Sequence, residues 1–282
     1  MANLEHRTGS VVSGDVTIFY RAFGKPGRAP ILIMHGANYF DSTDWIEVAD
    51  ALATDREVVC YDKRGFGNST WSESKDYTLD AHVGDAMAIV ARLGWSRFIP
   101  MGHSASGRLA ITIAANYPDR VAALIVPDSG MGEERGGARR TTGNPTLVFD
   151  SVEAAMANFA KLGNPPRIAR DVERARAALV KVEQGFMLKR DPDFQNTLPI
   201  GESSGMPTRA AASVWDDLAR VKAPAMLLRG AKSDRWTDPK ILERLAKDYP
   251  GVLVVAVDAQ HDVADQARGD VVAMIRKFIE QI

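Results

Sequence analysis

The 282-residue chain reads as an α/β protein: a mostly parallel sheet of eight strands flanked by helices, with a helical lid inserted after the sixth strand. Three observations point there. Short aliphatic runs such as Ala29–Met34, Glu57–Tyr61 and Val121–Pro127 lack polar alternation, as strands covered on both faces do. Segments with helical spacing alternate with them, and that alternation builds a parallel sheet clothed by helices. Lastly, the apolar run Phe98–Met101 meets the small-residue helix Leu109–Ala115 with almost no loop between them.

In chain order, Gly9–Val12 and Asp15–Ala22, joined by Ser13-Gly14, form an antiparallel hairpin at the sheet edge. Pro26-Gly27 leads into the third strand, Ala29–Met34, and a helix follows over Thr43–Ala53. After strand Glu57–Tyr61, Leu79–Leu93 is an amphipathic helix with Val83, Ala86, Ile89, Val90 and Leu93 on one side. Phe98–Met101 and Val121–Pro127 are buried strands, and Ala223–Arg229 and Val252–Val257 complete the sheet. Asp238-Pro239 is an N-cap followed by a proline at the first helical position. Val263–Ile279 closes the chain as a helix.

The alternation lapses between Ser129 and about Ser213. This divides the chain into a core over 1–130, a cap over 131–213 and the rest of the core over 214–282. Within the cap, helical patterns run near Val152–Leu162 and Ile168–Leu188, and Lys189–Thr208 is irregular. Such an insert builds a pocket and excludes water.

The turn Gly102-His103-Ser104-Ala105-Ser106-Gly107 carries the chemistry. A strand entering a helix through so few residues turns sharply, and the apex residue projects from the sheet in a strained conformation that needs small neighbours. Ser104 is that apex, with Gly102 two residues before and Ser106 two after. The first free N–H groups of the new helix then face whatever binds beside the hydroxyl.

This turn resembles the nucleophile elbow of the α/β-hydrolase fold, and the resemblance extends over nearly the whole chain. His35-Gly36 is similar to that family's oxyanion turn. Tyr61-Asp62-Lys63-Arg64-Gly65-Phe66-Gly67-Asn68-Ser69 is similar to its Asp-x-Arg-Gly-x-Gly-x-Ser loop. One departure stands at the elbow, where Ser106 replaces the glycine of most relatives. The resemblance implies a serine hydrolase with an oxyanion hole made by the N–H groups of Ala37 and Ala105.

A serine hydroxyl needs a base, and the base needs a carboxylate to orient it. His6 precedes the fold, His35 belongs to a turn, His82 lies at the exposed start of a helix, and His103 points away from its neighbour Ser104. His261 alone follows a late strand at the carboxyl end of the sheet, so it is the expected base. Asp234, after strand Ala225–Arg229, is the expected acid and gives the chain order Ser–Asp–His. Asp128, which ends the sixth strand, is the alternative acid. Asp62, Arg64, Gly65 and Gly67 are read as structural, and Arg108 as a solvated helix residue.

Composition closes off other classes. Apolar residues make up 45% and charged residues 25% of the chain, with a formal net charge of -1. That balance and the absence of a basic stripe argue against nucleic acid as a partner. No aliphatic run is long enough to span a membrane, and residues 1–7 lack the apolar core of a signal peptide, so the expected location is cytoplasmic. The single cysteine, Cys60, sits in a strand as a buried, inert thiol. No histidine pair or acidic cluster has metal spacing, and no dinucleotide fingerprint follows an early strand, so neither metal nor cofactor is expected.

The function expected is hydrolysis of a small-molecule carboxylic ester or lactone through an acyl-enzyme. The same machinery cleaves carbon–carbon bonds in diketones, the nearest enzymatic alternative. Plant butenolide receptors share the Gly-His-Ser-x-Ser elbow, so a slowly hydrolysing sensor of small ligands is the alternative from another class.

Overall fold

The computed structural model describes residues 4–36, 41–131, 148–161, 172, 176–191, 193–196, 213–236, 238–280 and 282. The chain opens with a hairpin of β1 (Arg7–Ser13) and β2 (Val16–Phe23), paired from Arg7↔Ala22 to Ser13↔Val16. The interior strands β3 (Ile31–Met34), β4 (Val58–Tyr61), β5 (Ile99–Gly102) and β6 (Leu124–Pro127) are buried along their whole length. With β10 (Ala225–Gly230) and β11 (Val252–Val257), they form an eight-stranded sheet in the order β1-β2-β4-β3-β5-β6-β10-β11. The first two pairings are antiparallel and all later ones parallel.

Side chains alternate along each strand, and the helices cover both faces. Ile31, Ile33, Cys60, Met101 and Ile125 pack with α1 (Ile46–Leu52) on one face. Leu32, Met34, Val59, Leu124 and Val126 pack on the other with α2 (Leu79–Arg92) and α3 (Ala105–Asn116). This two-sided burial accounts for the unbroken apolar runs. Burial pushes the Cys60 thiol up to about 12, so the cysteine is inert at neutral pH.

The order reverses at β3, from which the chain moves outward to β4 and then crosses to β5 on the other side. Crevices at such reversals, outside the carboxyl ends of the strands, are where open α/β sheets hold ligands. Among the described residues, no helix is long and apolar enough to cross a membrane.

The segment between β6 and β10 departs from expectation. After α4 (Val152–Lys161), residues Leu179–Leu188 form a hairpin rather than the end of a helix. Its strands β8 (Leu179–Val182) and β9 (Gly185–Leu188) pair antiparallel, and β7 (Val148–Phe149) joins the outer side of β9. The reason is local: Gly185 takes φ +130° at the turn, and Val180 and Val182 alternate with charged neighbours in a pattern that suits a strand. The hairpin is followed by an anchor on the core. Phe66 and Arg190 form a β-bridge, Gly67 N–H donates to the Lys189 carbonyl (2.8 Å), and Phe194 inserts between Phe66 and Tyr77.

The chain returns through α5 (Val214–Arg220), which carries a capping box between Ser213 and Asp216. Asp238 caps α6 (Pro239–Asp248), accepting from Lys240 N–H at 3.0 Å. The closing helix breaks at Ala267, so α7 runs from Arg268 to Ile279. Arg108 is not solvated as expected: its side chain, 11% exposed, reaches buried Asp217 of α5 at 2.8 Å.

His82 is likewise buried rather than exposed. It faces Phe194, and neither ring nitrogen has a hydrogen-bond partner among the described residues. Lys63 is buried beside it, its Nζ without a hydrogen-bond partner among the described residues and lying over the Phe66 ring at 5.2 Å. Burial, with Arg190 nearby, holds the Lys63 amine down to about 7 against an ordinary value of 10.5. Between those two values the unfolded chain binds the extra proton, so stability rises with pH across that window and is lowest below it. Lys63→Met is therefore expected to raise Tm most near pH 6 and progressively less toward pH 10. Parallel Tm curves for parent and variant would contradict this account.

Candidate active site

Every predicted site residue within the described residues lies at the carboxyl edge of the sheet. Ser104 follows β5 and has φ 55° and ψ −124°, a strained conformation for a residue with a side chain. The turn holds because its surroundings allow nothing larger. A Cβ on Gly102 would collide with the Ser106 carbonyl, and one on Gly36 would lie 3.3 Å from the Ser104 Cβ. Ser104 N–H donates to the Pro127 carbonyl at 3.1 Å, tying the elbow to the neighbouring strand.

The Ser104 hydroxyl donates to His261 Nε2 at 2.9 Å. The other nitrogen of that ring, Nδ1, donates to Asp128 Oδ2 at 2.7 Å. The structure thus brings together Ser104, His261 and Asp128, and it is Asp128, the alternative carboxylate, rather than Asp234 that meets the histidine. Asp234 opens a short 3₁₀ turn, with its side chain 70% exposed and Arg235 Nε at 3.5 Å. Asp128 takes φ 39°, and this bend at the end of β6 accompanies a carboxylate turned inward beside His261.

Asp128 is fully buried, and a buried carboxylate must be hydrogen-bonded. Its Oδ1 accepts from Gly230 N–H at 2.7 Å, and its Oδ2 from the Ser233 hydroxyl at 2.5 Å as well as from His261. Gly230 and Ser233 belong to β10 and its loop, the place where the acid was expected. That loop holds the carboxylate instead of supplying it.

His103, expected to point away from Ser104, packs on the His261 ring. The two imidazoles are 4.9 Å apart, and His103 Nε2–H donates to the His261 carbonyl at 3.1 Å. Burial, reinforced by His261, holds His103 down to about 3. It is therefore neutral at working pH and serves as a fixed donor rather than a competing base.

Ala105 is the first residue of α3, directly after Ser104. Ala37 lies outside the described residues. The turn before it is secured by His35, whose Nδ1 bonds the Gly36 carbonyl at 2.7 Å while its Nε2 accepts from Lys63 N–H at 3.1 Å. Burial, with Lys63 next, keeps that ring neutral, well below its ordinary value.

The loop after β4 is occupied with itself. Asp62 accepts from Arg21 (2.9 Å) and from the Ser42 hydroxyl (2.6 Å), and Arg64 grips Asp85 through two contacts of 2.7 Å. Among the described residues, no group of three or more His, Cys, Asp or Glu is arranged to hold a metal ion.

The fold and this constellation define the class. Residues 29–267 match the family model described as alpha/beta hydrolase fold, and the chain belongs to that family. It is a hydrolase of that superfamily, and its curated relatives include esterases and other hydrolases. A 3-hydroxybutyrate-oligomer hydrolase of Cupriavidus necator is 26% identical over 255 residues, covering 86% of each chain. Lipase LipV of Mycobacterium tuberculosis is 26% identical over 273 residues, 93% of this chain and 97% of its own. The thioesterase domain from the curacin biosynthetic pathway shares the fold, with a TM-score of 0.80 and 18% identity over 96% of this chain and 99% of its own.

Proposed function

We propose that this protein is a serine hydrolase cleaving a small carboxylic ester or lactone, with Ser104 as nucleophile, His261 as base and Asp128 as the acid that orients it. The observation that carries the reading is the continuous relay from Ser104 Oγ through His261 to Asp128, with contacts of 2.9 and 2.7 Å. Ser104 Oγ attacks the carbonyl carbon as His261 Nε2 takes its proton. The oxyanion is held by the N–H groups of Ala105 and Ala37. The C–O bond to the leaving alcohol then breaks, and His261 returns the proton to that oxygen. A water, deprotonated by His261, then attacks the acyl carbon. The bond to Ser104 Oγ breaks, His261 returns the proton to that oxygen, and the acid is released. Removing one such fixed donor costs roughly 3–4 kcal/mol of transition-state stabilisation in sites of this kind.

The test is reaction with an aryl phosphonate. The reading expects one adduct, on Ser104, together with multiple turnovers of an aryl ester or a lactone. Modification elsewhere, or no modification, would overturn the serine mechanism. Faster cleavage of a vinylogous diketone than of any ester would reassign the bond to carbon–carbon. Strong stabilisation by ligand with a single turnover would make the protein a sensor.

We further read residues 131–213 as a cap over this site. Support comes from the described part, which leaves the core after β6 and is anchored back on the loop after β4 through Arg190 and Phe194. Replacing 131–213 with a short linker is expected to preserve phosphonate labelling of Ser104 and to change the rate ratio between a small and a bulky ester several-fold. An unchanged ratio in a folded variant would reduce the insert to decoration.

A further inference from the structure

Ser106 is the one position at which the elbow departs from the family pattern, and its side chain is not idle. It is wholly buried on the first turn of α3, and its hydroxyl donates to the His35 carbonyl at 2.6 Å. His35 ends the run from β3 into the oxyanion turn, and its two ring nitrogens are already committed to Gly36 and Lys63. The His35 carbonyl therefore joins this turn to the elbow by a hydrogen bond that glycine at position 106 could not make.

We propose that Ser106 is a positioning residue for the oxyanion hole: its hydroxyl clamps the His35-Gly36 turn to the segment that carries Ser104 and Ala105. This rests on the serine-hydrolase reading given above. The physical case is one of rigidity. One expected donor, Ala105, opens α3 after β5, and the other, Ala37, follows the His35-Gly36 turn in the sequence, so whatever joins that turn to the elbow sets the geometry of the hole. Strand pairing already links the two segments through His103 N–H donating to the Met34 carbonyl at 3.0 Å, but it stops one residue short of His35. At Gly36 an added Cβ would lie 3.3 and 3.2 Å from Ser104 and His103, a contact that limits approach and does not prevent separation. The Ser106 hydrogen bond resists separation. Because oxyanion donors act only on the charge that develops in the transition state, loosening them lowers turnover and leaves ground-state binding in place. A misplacement of about 1 Å can cost on the order of 10²-fold in rate.

The experiment compares the parent with Ser106→Ala and Ser106→Gly, the second restoring the commoner residue. An aryl acetate supplies kcat and KM. Phenylboronic acid, whose tetrahedral adduct on Ser104 places an oxygen in the hole, supplies a transition-state affinity. Both variants are expected to lose kcat by roughly 10- to 100-fold, with KM within about twofold and boronate affinity falling in proportion to kcat. A role confined to stability would lower Tm and leave the boronate-to-KM ratio unchanged. Parent-like kcat and boronate affinity in either folded variant would overturn the proposal, as would a fall in kcat without a matching fall in boronate affinity. If the parent itself takes no phosphonate at Ser104, it is the hydrolase reading that fails and not the clamp. In that case a parent-like rate of amide exchange across Ile31–Gly36 and Gly102–Gly107 in Ser106→Ala would still overturn the clamp.

Discussion

Ser104→Ala is expected to fold like the parent and to lose turnover of an aryl ester by roughly 10³-fold or more. Folding should survive because the change removes one oxygen from a half-buried side chain and leaves every backbone hydrogen bond of the elbow in place. Alanine also tolerates the strained φ 55° no worse than serine, since both carry a single Cβ substituent or less. Catalysis should collapse because no other hydroxyl is presented to His261 Nε2 among the described residues. The residue of activity measures what the oxyanion donors and binding provide without covalent attack. Turnover within tenfold of the parent, by comparison with the order of magnitude expected for a lost nucleophile, would rule out the acyl-enzyme.

The second large effect separates two carboxylates. Asp128→Asn is expected to depress kcat by roughly 10²–10⁴-fold with little change in KM. An amide at this place cannot stabilise the imidazolium that forms as Ser104 gives up its proton. Its NH₂ group would also confront His261 Nδ1–H and favour the wrong tautomer. The neighbouring donors, Gly230 N–H and the Ser233 hydroxyl, would likewise meet an amide where they now meet a carboxylate. Asp234→Asn changes an exposed side chain paired with Arg235, and its turnover should stay within about twofold, as surface substitutions usually do. The reverse pattern in the two kcat values would return the acid to Asp234.

Much of this was legible before any coordinates. The strands are marked by unbroken aliphatic runs because both sheet faces are covered, and the elbow is marked because its turn tolerates only small residues. Ser104 and His261 follow from position along the chain. The acid does not, for a definite reason: Asp128 and Asp234 both stand between Ser104 and His261, so chain order accepts either. What separates them is the direction of a side chain, set by φ 39° at one residue and by a 3₁₀ turn at the other. The helix expected near Ile168–Leu188 gives way to a hairpin over Leu179–Leu188, because a short amphipathic stretch with β-branched residues and a glycine fits either period. His82 and Arg108 were placed in solvent because each helix was judged by its apolar face alone. Their burial depends on Phe194 and Asp217, distant in sequence and brought near by the fold. Ser106 was visible as a departure, but its partner, a main-chain carbonyl, leaves no mark in a sequence.

With the carboxylate that meets His261 supplied from the end of β6, the loop after β10 is left with a supporting part. Two of its groups, Gly230 N–H and the Ser233 hydroxyl, are bound to Asp128, but Asp234 and Arg235 face outward from the turn, 70% and 40% exposed. Mutation there touches no reacting atom, while the loop still stands at the same edge of the sheet as the nucleophile. Selection can rewrite it for what enters the site without rebuilding the chemistry. For a laboratory library the boundary is equally clear: positions 234 and 235 are open to variation, and 230 and 233 are to be kept.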